Sequence, residues 1–481
     1  MTPKDSKINY LKNTINTAPS IAKYKTQQNN EEYNKKTEFY QFKEDIKEFL
    51  NKESEERFYI LTGIKDVGKT TLLYQIYNYL NKDCNIEKER ILYLNIDRLK
   101  NMGEFNLLEY LEIFIKELNE QNSLNKKPLF LLIDEAQYAK NWDLTGKIIF
   151  DETSNVFMIF TGSDTLTLEL SNESSRRSFK KELYPLNFSE YLNLKYKYEF
   201  PKNLTKQFQN LIFAGQTQEI EKIEEKITYN IFMDLDREVK NEWKDYIQFR
   251  NFPRTMNLKN TDKIIEQTLD VKDRIIERDL RTVNSLTTQT QLKSYSLLNF
   301  LAMQKPSEIS TSKISSALDI PVKTVNNILH TFEKTHTIFH IEPYGSVTKS
   351  LRKSWEYYFL STQMKACICL SNRLISDFDE HMGILLENFV ASSLFRLKNE
   401  TRSDFRIFYD PKKGGVDFIL NTILGENIPI EVGIGKKKKK QIKTAINRYN
   451  ADYGILISNK KTSIQKEEDI IHIPPITFSL L

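Results

Sequence analysis

Residues 63–70 read Gly63-Ile64-Lys65-Asp66-Val67-Gly68-Lys69-Thr70, and Thr71 follows. Glycine tolerates backbone angles that crowd a side chain, so a loop built on Gly63 and Gly68 can curl tightly. Its amides then point inward, and the start of a following helix adds positive potential. Together these make a cradle for phosphate. The stretch fits G-x-x-x-x-G-K-[ST], the P-loop, which must join a buried strand to a helix. Both flanks comply. Phe58-Tyr59-Ile60-Leu61-Thr62 is an apolar strand, and Leu72, Leu73, Ile76 and Leu80 share one helical face. Residues 63–71 are therefore the candidate cradle for ATP. Lys69 reaches the β- and γ-phosphates, and the Thr70 hydroxyl binds Mg²⁺.

A P-loop needs a partner strand that ends in carboxylates. Leu129-Phe130-Leu131-Leu132-Ile133-Asp134-Glu135 supplies one. The apolar run predicts a strand buried on both faces. Its end delivers Asp134 to the Mg²⁺ shell and Glu135 as the base for an attacking water. The competing reading is an acidic pair opening a helix, where carboxylates suit the dipole. Ile91–Asp97 reads as another buried strand. Val156–Phe160 reads as a third, ending at Thr161-Gly162-Ser163. In ATPases that insert a strand between the two Walker strands, a polar residue at this end faces the γ-phosphate, and Ser163 is the candidate. Arg176 and Arg177 are candidates for an arginine finger on a neighbouring subunit; a solvated basic pair is the alternative.

The length suits about three domains. The 70 basic and 65 acidic residues nearly cancel, so composition alone nominates no nucleic-acid partner. No apolar run is long enough to span a bilayer, and Met1-Thr-Pro-Lys-Asp-Ser-Lys lacks a secretion core. The expectation is a cytoplasmic protein without membrane contact. Cys84, Cys367 and Cys369 lack the spacing of a zinc site or a disulfide framework.

Several stretches together resemble a known family. They are Leu61 to Leu73, Leu132-Ile-Asp-Glu-Ala-Gln137, Asn141-Trp142, Thr161-Gly-Ser163, Tyr184-Pro-Leu-Asn-Phe-Ser-Glu-Tyr-Leu192, and Ile275 to Leu280. They look like the archaeal and bacterial AAA-like ATPases that couple a P-loop core to a winged helix and a restriction-endonuclease-like domain. Phe252-Pro253 resembles that family's glycine-glycine-phenylalanine-proline turn, with Arg250 and Asn251 in place of the glycines. The implied fold class is a multidomain α/β protein with an additional-strand, AAA-like P-loop NTPase core. The expected order is a polar, loosely ordered tail over 1–36, the ATPase core over 37–200, a helical lid over 201–285, a winged helix over 286–360, and a nuclease-like domain over 361–481.

In the winged-helix reading, a helix opened by Pro321 exposes Lys323, Thr324, Asn326, Asn327 and His330. Ile338-Phe-His-Ile-Glu342 and Val347-Thr-Lys349 make the wing, followed by Arg352 and Lys353. Asparagine can read adenine edges and lysine contacts phosphate, so DNA is the expected partner; such modules also contact proteins. The C-terminal order of helix, three strands, helix and strand suits a PD-(D/E)XK core, with Glu387, Asp417 and Glu431 as candidate ligands of one divalent metal. That pattern expects a lysine two residues after the second acid, and Gly433 stands there. Lys436 to Lys440 precede a helix, where positive charge opposes the dipole unless an anion is close. DNA phosphate or solvent ions are the two readings. The expected function is an ATP-hydrolysing, DNA-associated ATPase, which can assemble as a homo-oligomer. An ATP-regulated metal-dependent nuclease and a signalling or assembly ATPase with a protein partner are the alternatives.

Overall fold

A computed structural model describes residues 3–28, 30–119, 127–162, 172–234, 238–279, 288–345, 354–372, 378–400, 405–433 and 439–481. Ser163, Val347–Lys349, Arg352, Lys353 and Lys436–Lys438 lie outside these. The chain divides into two compact units, Met1–Leu183 and Tyr184–Leu481.

The first unit opens with α1 (Pro3–Thr26) and α2 (Thr37–Asn51). The P-loop lies between β1 (Phe58–Thr62) and α3 (Lys69–Asn78). Then come β2 (Ile91–Asn95), α4 (Ile96–Lys100), α5 (Leu107–Glu112), β3 (Leu129–Asp134), α6 (Trp142–Glu152), β4 (Val156–Thr161) and β5 (Phe179–Glu182). The strands form one parallel sheet in the order β2-β3-β4-β1-β5. Every residue of β1, β3 and β4 is buried, as parallel strands covered on both faces require. β4 lies between β1 and β3, which is the inserted strand that the sequence reading expected.

The N-terminal expectation needs correcting. Residues 3–26 are a helix, and its Leu11, Ile15, Ala18 and Ala22 are 6 % exposed or less. Their spacing of four, three and four puts them on one stripe. Leu11 and Ile15 join the core of β2 and β3. The Asn78 side chain of α3 donates to Thr26 Oγ1 at 2.9 Å.

The second unit begins at Tyr184, so residues 184–200 belong to it and not to the P-loop core. α7 (Phe188–Tyr196), α8 (Leu204–Ala214), α9 (Gln218–Asp234), α10 (Val239–Phe249) and α11 (Thr261–Arg274) precede α12 (Thr288–Met303). β6 (Ile309–Ser310), α13 (Thr311–Leu318), α14 (Val322–Lys334), β7 (Ile338–Pro343) and β8 (Ser354–Phe359) follow. β8 pairs antiparallel with β7, Glu356 opposite Ile341 and Phe359 opposite Ile338; the expected wing strand Val347–Lys349 lies outside the described residues. The remainder is α15 (Thr362–Ser371), α16 (Phe378–Glu400), β9 (Phe405–Tyr409), β10 (Phe418–Thr422), β11 (Asn427–Gly433), α17 (Lys439–Tyr449), β12 (Gly454–Ser458), β13 (Gln465–Glu467) and β14 (Ile470–Ile473).

These strands make one nine-stranded sheet in the order β13-β14-β12-β11-β10-β9-β7-β8-β6. β7 and β9 pair in parallel, Phe408 opposite Glu342 and Tyr409 opposite Pro343. The expected boundary at 360 thus falls inside a continuous sheet. Asn388 of α16 reinforces the seam, accepting from Phe359 N at 2.9 Å and donating to Phe359 O at 2.7 Å.

The helices over 201–285 share a core with the C-terminal strands; Phe208, Leu211 and Trp243 cluster with Ile430, Ile455 and Phe478. Arg396 pairs with Glu190 through two bonds of 2.8 and 2.9 Å, both side chains buried. The Arg250-Asn251-Phe252-Pro253 turn works without glycine. Asn251 donates to Thr362 Oγ1 at 2.7 Å and accepts from Ser361 Oγ at 2.9 Å, and neither Arg250 nor Asn251 has a positive φ.

Candidate functional site

In a parallel sheet, side chains just past the strand ends share one edge. Here that edge collects the P-loop after β1, Asn95 at the end of β2, Asp134 at the end of β3 and Thr161 at the end of β4. Gly63 has φ 144°, and a Cβ there would sit 2.3 Å from the Leu183 carbonyl oxygen. Gly68 precedes α3 with φ 106°. The loop's tight path needs both glycines. Asp66 also has a positive φ, while Ile64 and Val67 are buried and anchor the loop. Lys65 within the loop and Thr71 just after it are partly exposed.

Lys69 is 7 % exposed and folds back over the loop, donating to Gly63 O at 2.7 Å and Ile64 O at 3.1 Å. Thr70 Oγ1 donates to Asp134 Oδ2 at 2.8 Å. The same oxygen accepts from the Tyr93 hydroxyl at 2.9 Å and from Asn95 Nδ2 at 3.3 Å. Asp134 Oδ1 accepts from Thr161 Oγ1 at 2.6 Å. Asp134 and Thr161 are fully buried. Burial, then Asp134, pushes the Tyr93 hydroxyl well above its usual range, so it stays a donor. Its ring stacks on Tyr74 of α3, centroids 4.2 Å apart.

Glu135 adopts a left-handed backbone, φ 57°, which turns it out of the strand direction. Burial pushes its carboxyl upward and Asp134 adds to that. Lys69, Lys65 and a 2.6 Å hydrogen bond from Gln137 Nε2 oppose it. A carboxylate that holds a proton more tightly than usual is a stronger base toward water. Thr70 and Asp134 offer hard oxygens side by side, the donor type that Mg²⁺ takes, so these residues fit a magnesium nucleotide.

Sequence reasoning brought Lys69, Thr70, Asp134 and Glu135 to one edge but missed Tyr93, Asn95, Thr161 and Gln137. Thr161 and Asn95 carried a readable signal, since both are polar ends of apolar strands. Gln137 closes the Leu132–Gln137 run. Arg177 is not at this edge. It pairs with Asp151 at 2.5 Å near the end of α6, where the chain turns back to start β4. Arg176 is exposed.

In the second unit, the sequence-selected carboxylates have partners within the chain. Glu387 accepts from the Tyr358 hydroxyl at 3.2 Å, Asp417 accepts from Val432 N at 2.6 Å, and Glu431 is fully buried on β11. Among the described residues no three His, Cys, Asp or Glu side chains are grouped to hold a metal ion. Of the lysine run, Lys439 finds an anion within the chain, as does Lys443 one turn further along α17. Lys439 pairs with Glu467, and Lys443 pairs with Glu468 at 2.6 Å. Lys439, then Lys461, holds Glu467 down at about 2. No described helix is long and apolar enough to cross a membrane.

The inserted-strand order, the P-loop and its carboxylate partner define an AAA-type P-loop domain with an α/β parallel-sheet core. A sequence profile described as "AAA domain" matches residues 55–192, and one described as a domain of unknown function (DUF8612) matches residues 240–368. The chain belongs to the family of uncharacterized protein MJ1637 of Methanocaldococcus jannaschii. The two are 33% identical over 458 residues, covering 93% of this chain and 90% of the relative. Uncharacterized protein MJ1544 of the same organism is 27% identical over 382 residues, covering 76% and 72%. Among solved structures, Aeropyrum pernix ORC1 in complex with DNA is 10% identical, covers 73% of this chain and 98% of its own, and has a TM-score of 0.31. The Thermotoga maritima RuvB Holliday junction branch migration motor is 14% identical, covers 62% and 88%, and scores 0.27. These scores are low, and the fold assignment rests on strand order and the profile match.

Proposed function

We propose that this chain binds and hydrolyses ATP with Mg²⁺ and uses the nucleotide cycle to govern an association with duplex DNA. The observation that carries the hydrolysis reading is the gathering of Lys69, Thr70, Asp134 and Glu135 at the strand-end edge. Lys69 exchanges two loop carbonyls for phosphate oxygens. Thr70 and Asp134 hold Mg²⁺, and Glu135 takes a proton from water. A bound Mg²⁺ supplies charge neutralisation on the transferring phosphate.

The DNA reading rests on the module over 288–359, whose three helices and β6-β8-β7 strands suit a winged helix. Lys323, Asn327 and His330 are exposed on α14. Lysine supplies phosphate contact and asparagine supplies base-edge contact. The reading does not extend to a nuclease, because Gly433 stands where the expected lysine would be and no three-ligand metal group is found among the described residues.

The test is ATP turnover by the full chain with and without duplex DNA, with Glu135→Gln as control. Turnover that rises with duplex and disappears in the variant supports both parts. Turnover indifferent to duplex sinks the DNA part and favours a protein partner. Nucleotide binding without any turnover sinks hydrolysis.

A further inference from the structure

The turn after the Asp134-Glu135 pair holds a side chain that the reaction so far leaves unused. Gln137 lies within Ala136–Tyr138 and is 7 % exposed. Its Nε2 donates to Glu135 Oε2 at 2.6 Å. Its Oε1 is buried and has no hydrogen-bond partner among the described residues. Burying an amide oxygen without a donor is costly, and native structures rarely leave such an atom unmatched. The vacant acceptor belongs to the same amide that grips the proposed base.

We propose that Gln137 is a positioning residue that orients the attacking water for Glu135. The proposal rests on the hydrolysis reading above. A water seated there donates one O–H to Glu135 and the other to Gln137 Oε1. Its lone pair is then turned toward the γ-phosphate. The left-handed backbone of Glu135 fixes where the carboxylate starts, and the amide fixes its rotation. In the reaction the water oxygen bonds to phosphorus as the bond from phosphorus to the β,γ-bridging oxygen breaks. That electron pair leaves with ADP. Glu135 takes one water proton, the other stays on the new phosphate, and Gln137 ends unchanged.

A residue that only stabilised the fold would alter stability or nucleotide binding. A residue that orients water alters turnover and its pH dependence. The experiment measures steady-state ATP turnover across pH in the full chain, and affinity for a non-hydrolysable ATP analogue. In Gln137→Ala, kcat should fall about 10²-fold with analogue affinity unchanged. The acid limb should also move to higher pH, because the amide bond that favours ionised Glu135 is gone. Gln137→Glu keeps the shape and an acceptor oxygen but adds a like charge. Its limb should move further still, and above that limb its turnover should exceed that of Gln137→Ala.

Wild-type kcat in Gln137→Ala overturns the proposal. So does a loss of turnover matched by an equal loss of analogue affinity. If Gln137→Ala does not fold, an unmoved acid limb in Gln137→Glu overturns it. The wild-type arm separates the two readings: wild-type protein that binds the analogue without turnover refutes hydrolysis, and this proposal with it.

Discussion

Thr161→Val keeps the shape of the side chain and removes one O–H. That hydroxyl donates to Asp134 Oδ1 at 2.6 Å, and both residues are fully buried. Asp134 Oδ2 keeps three donors, Thr70, Tyr93 and Asn95. The cost therefore falls on one buried oxygen of a carboxylate that stays in place. A hydrogen bond to a charged group contributes about 1.5–3 kcal/mol. A unit of this size shifts its midpoint by about 2–4 °C per kcal/mol, so the fall should be roughly 3–12 °C. The assay is calorimetry on the full chain, following the transition that an ATP analogue raises. Thr161→Ser should recover most of the loss, because the donor returns. An unmoved midpoint in Thr161→Val would mean that Thr161 does not hold Asp134.

Gly63→Ala places a methyl 2.3 Å from the Leu183 carbonyl at a φ of 144°, so it should cost about 1–3 kcal/mol or more and abolish analogue binding in titration calorimetry; retained affinity would refute the tight-loop argument. Burial pushes the Glu356 carboxyl up to about 7, Tyr358 opposing and Asp417 and Glu308 adding. The folded state holds that proton more tightly than the unfolded chain, so the contribution is complete below the usual glutamate range and lost as pH rises through about 7. Glu356→Gln should stabilise the second unit by about 3 kcal/mol at pH 8 and by almost nothing at pH 4 in denaturant titrations; a difference independent of pH would contradict this. Lys439 and Lys443 are matched by Glu467 and Glu468, so replacing both with glutamine should leave the salt dependence of DNA binding unchanged. A slope reduced by about 1.8 would show that both contact phosphate.

The P-loop core was legible because its signals are local. Strand, loop and helix lie consecutively in the chain, and a strand buried on both faces is apolar throughout. The N-terminal helix was not legible. Its inward stripe includes two alanines, which are weak apolar signals, and Pro19 sits within the helix. Burial of so narrow a stripe depends on the partner surface. The bond from Thr161 to Asp134 was not foreseen, because strand length and not residue type sets which side chain arrives; the γ-phosphate candidate Ser163 lies outside the described residues. The organisation of the second unit was the least readable. Sequence gives β7 and β9 their apolar character, but nothing local says that they pair with each other across the chain. The carboxylates on α16 and β11 likewise have the right order along the chain, while their approach depends on helix rotation.

That parallel seam has a practical consequence. A gene fragment ending near residue 360 looks like a tidy way to isolate the segment before it. It would strip β9 from β7 and take away Asn388, which grips Phe359 from α16. What remains is a raw edge along Glu342 and Pro343, with the Tyr344 amide stripped of its acceptor Tyr409 O, ready to recruit strands from other molecules. Attempts to dissect this protein by truncation should therefore yield aggregates when the cut falls there, and the boundary to respect is the one near Leu183.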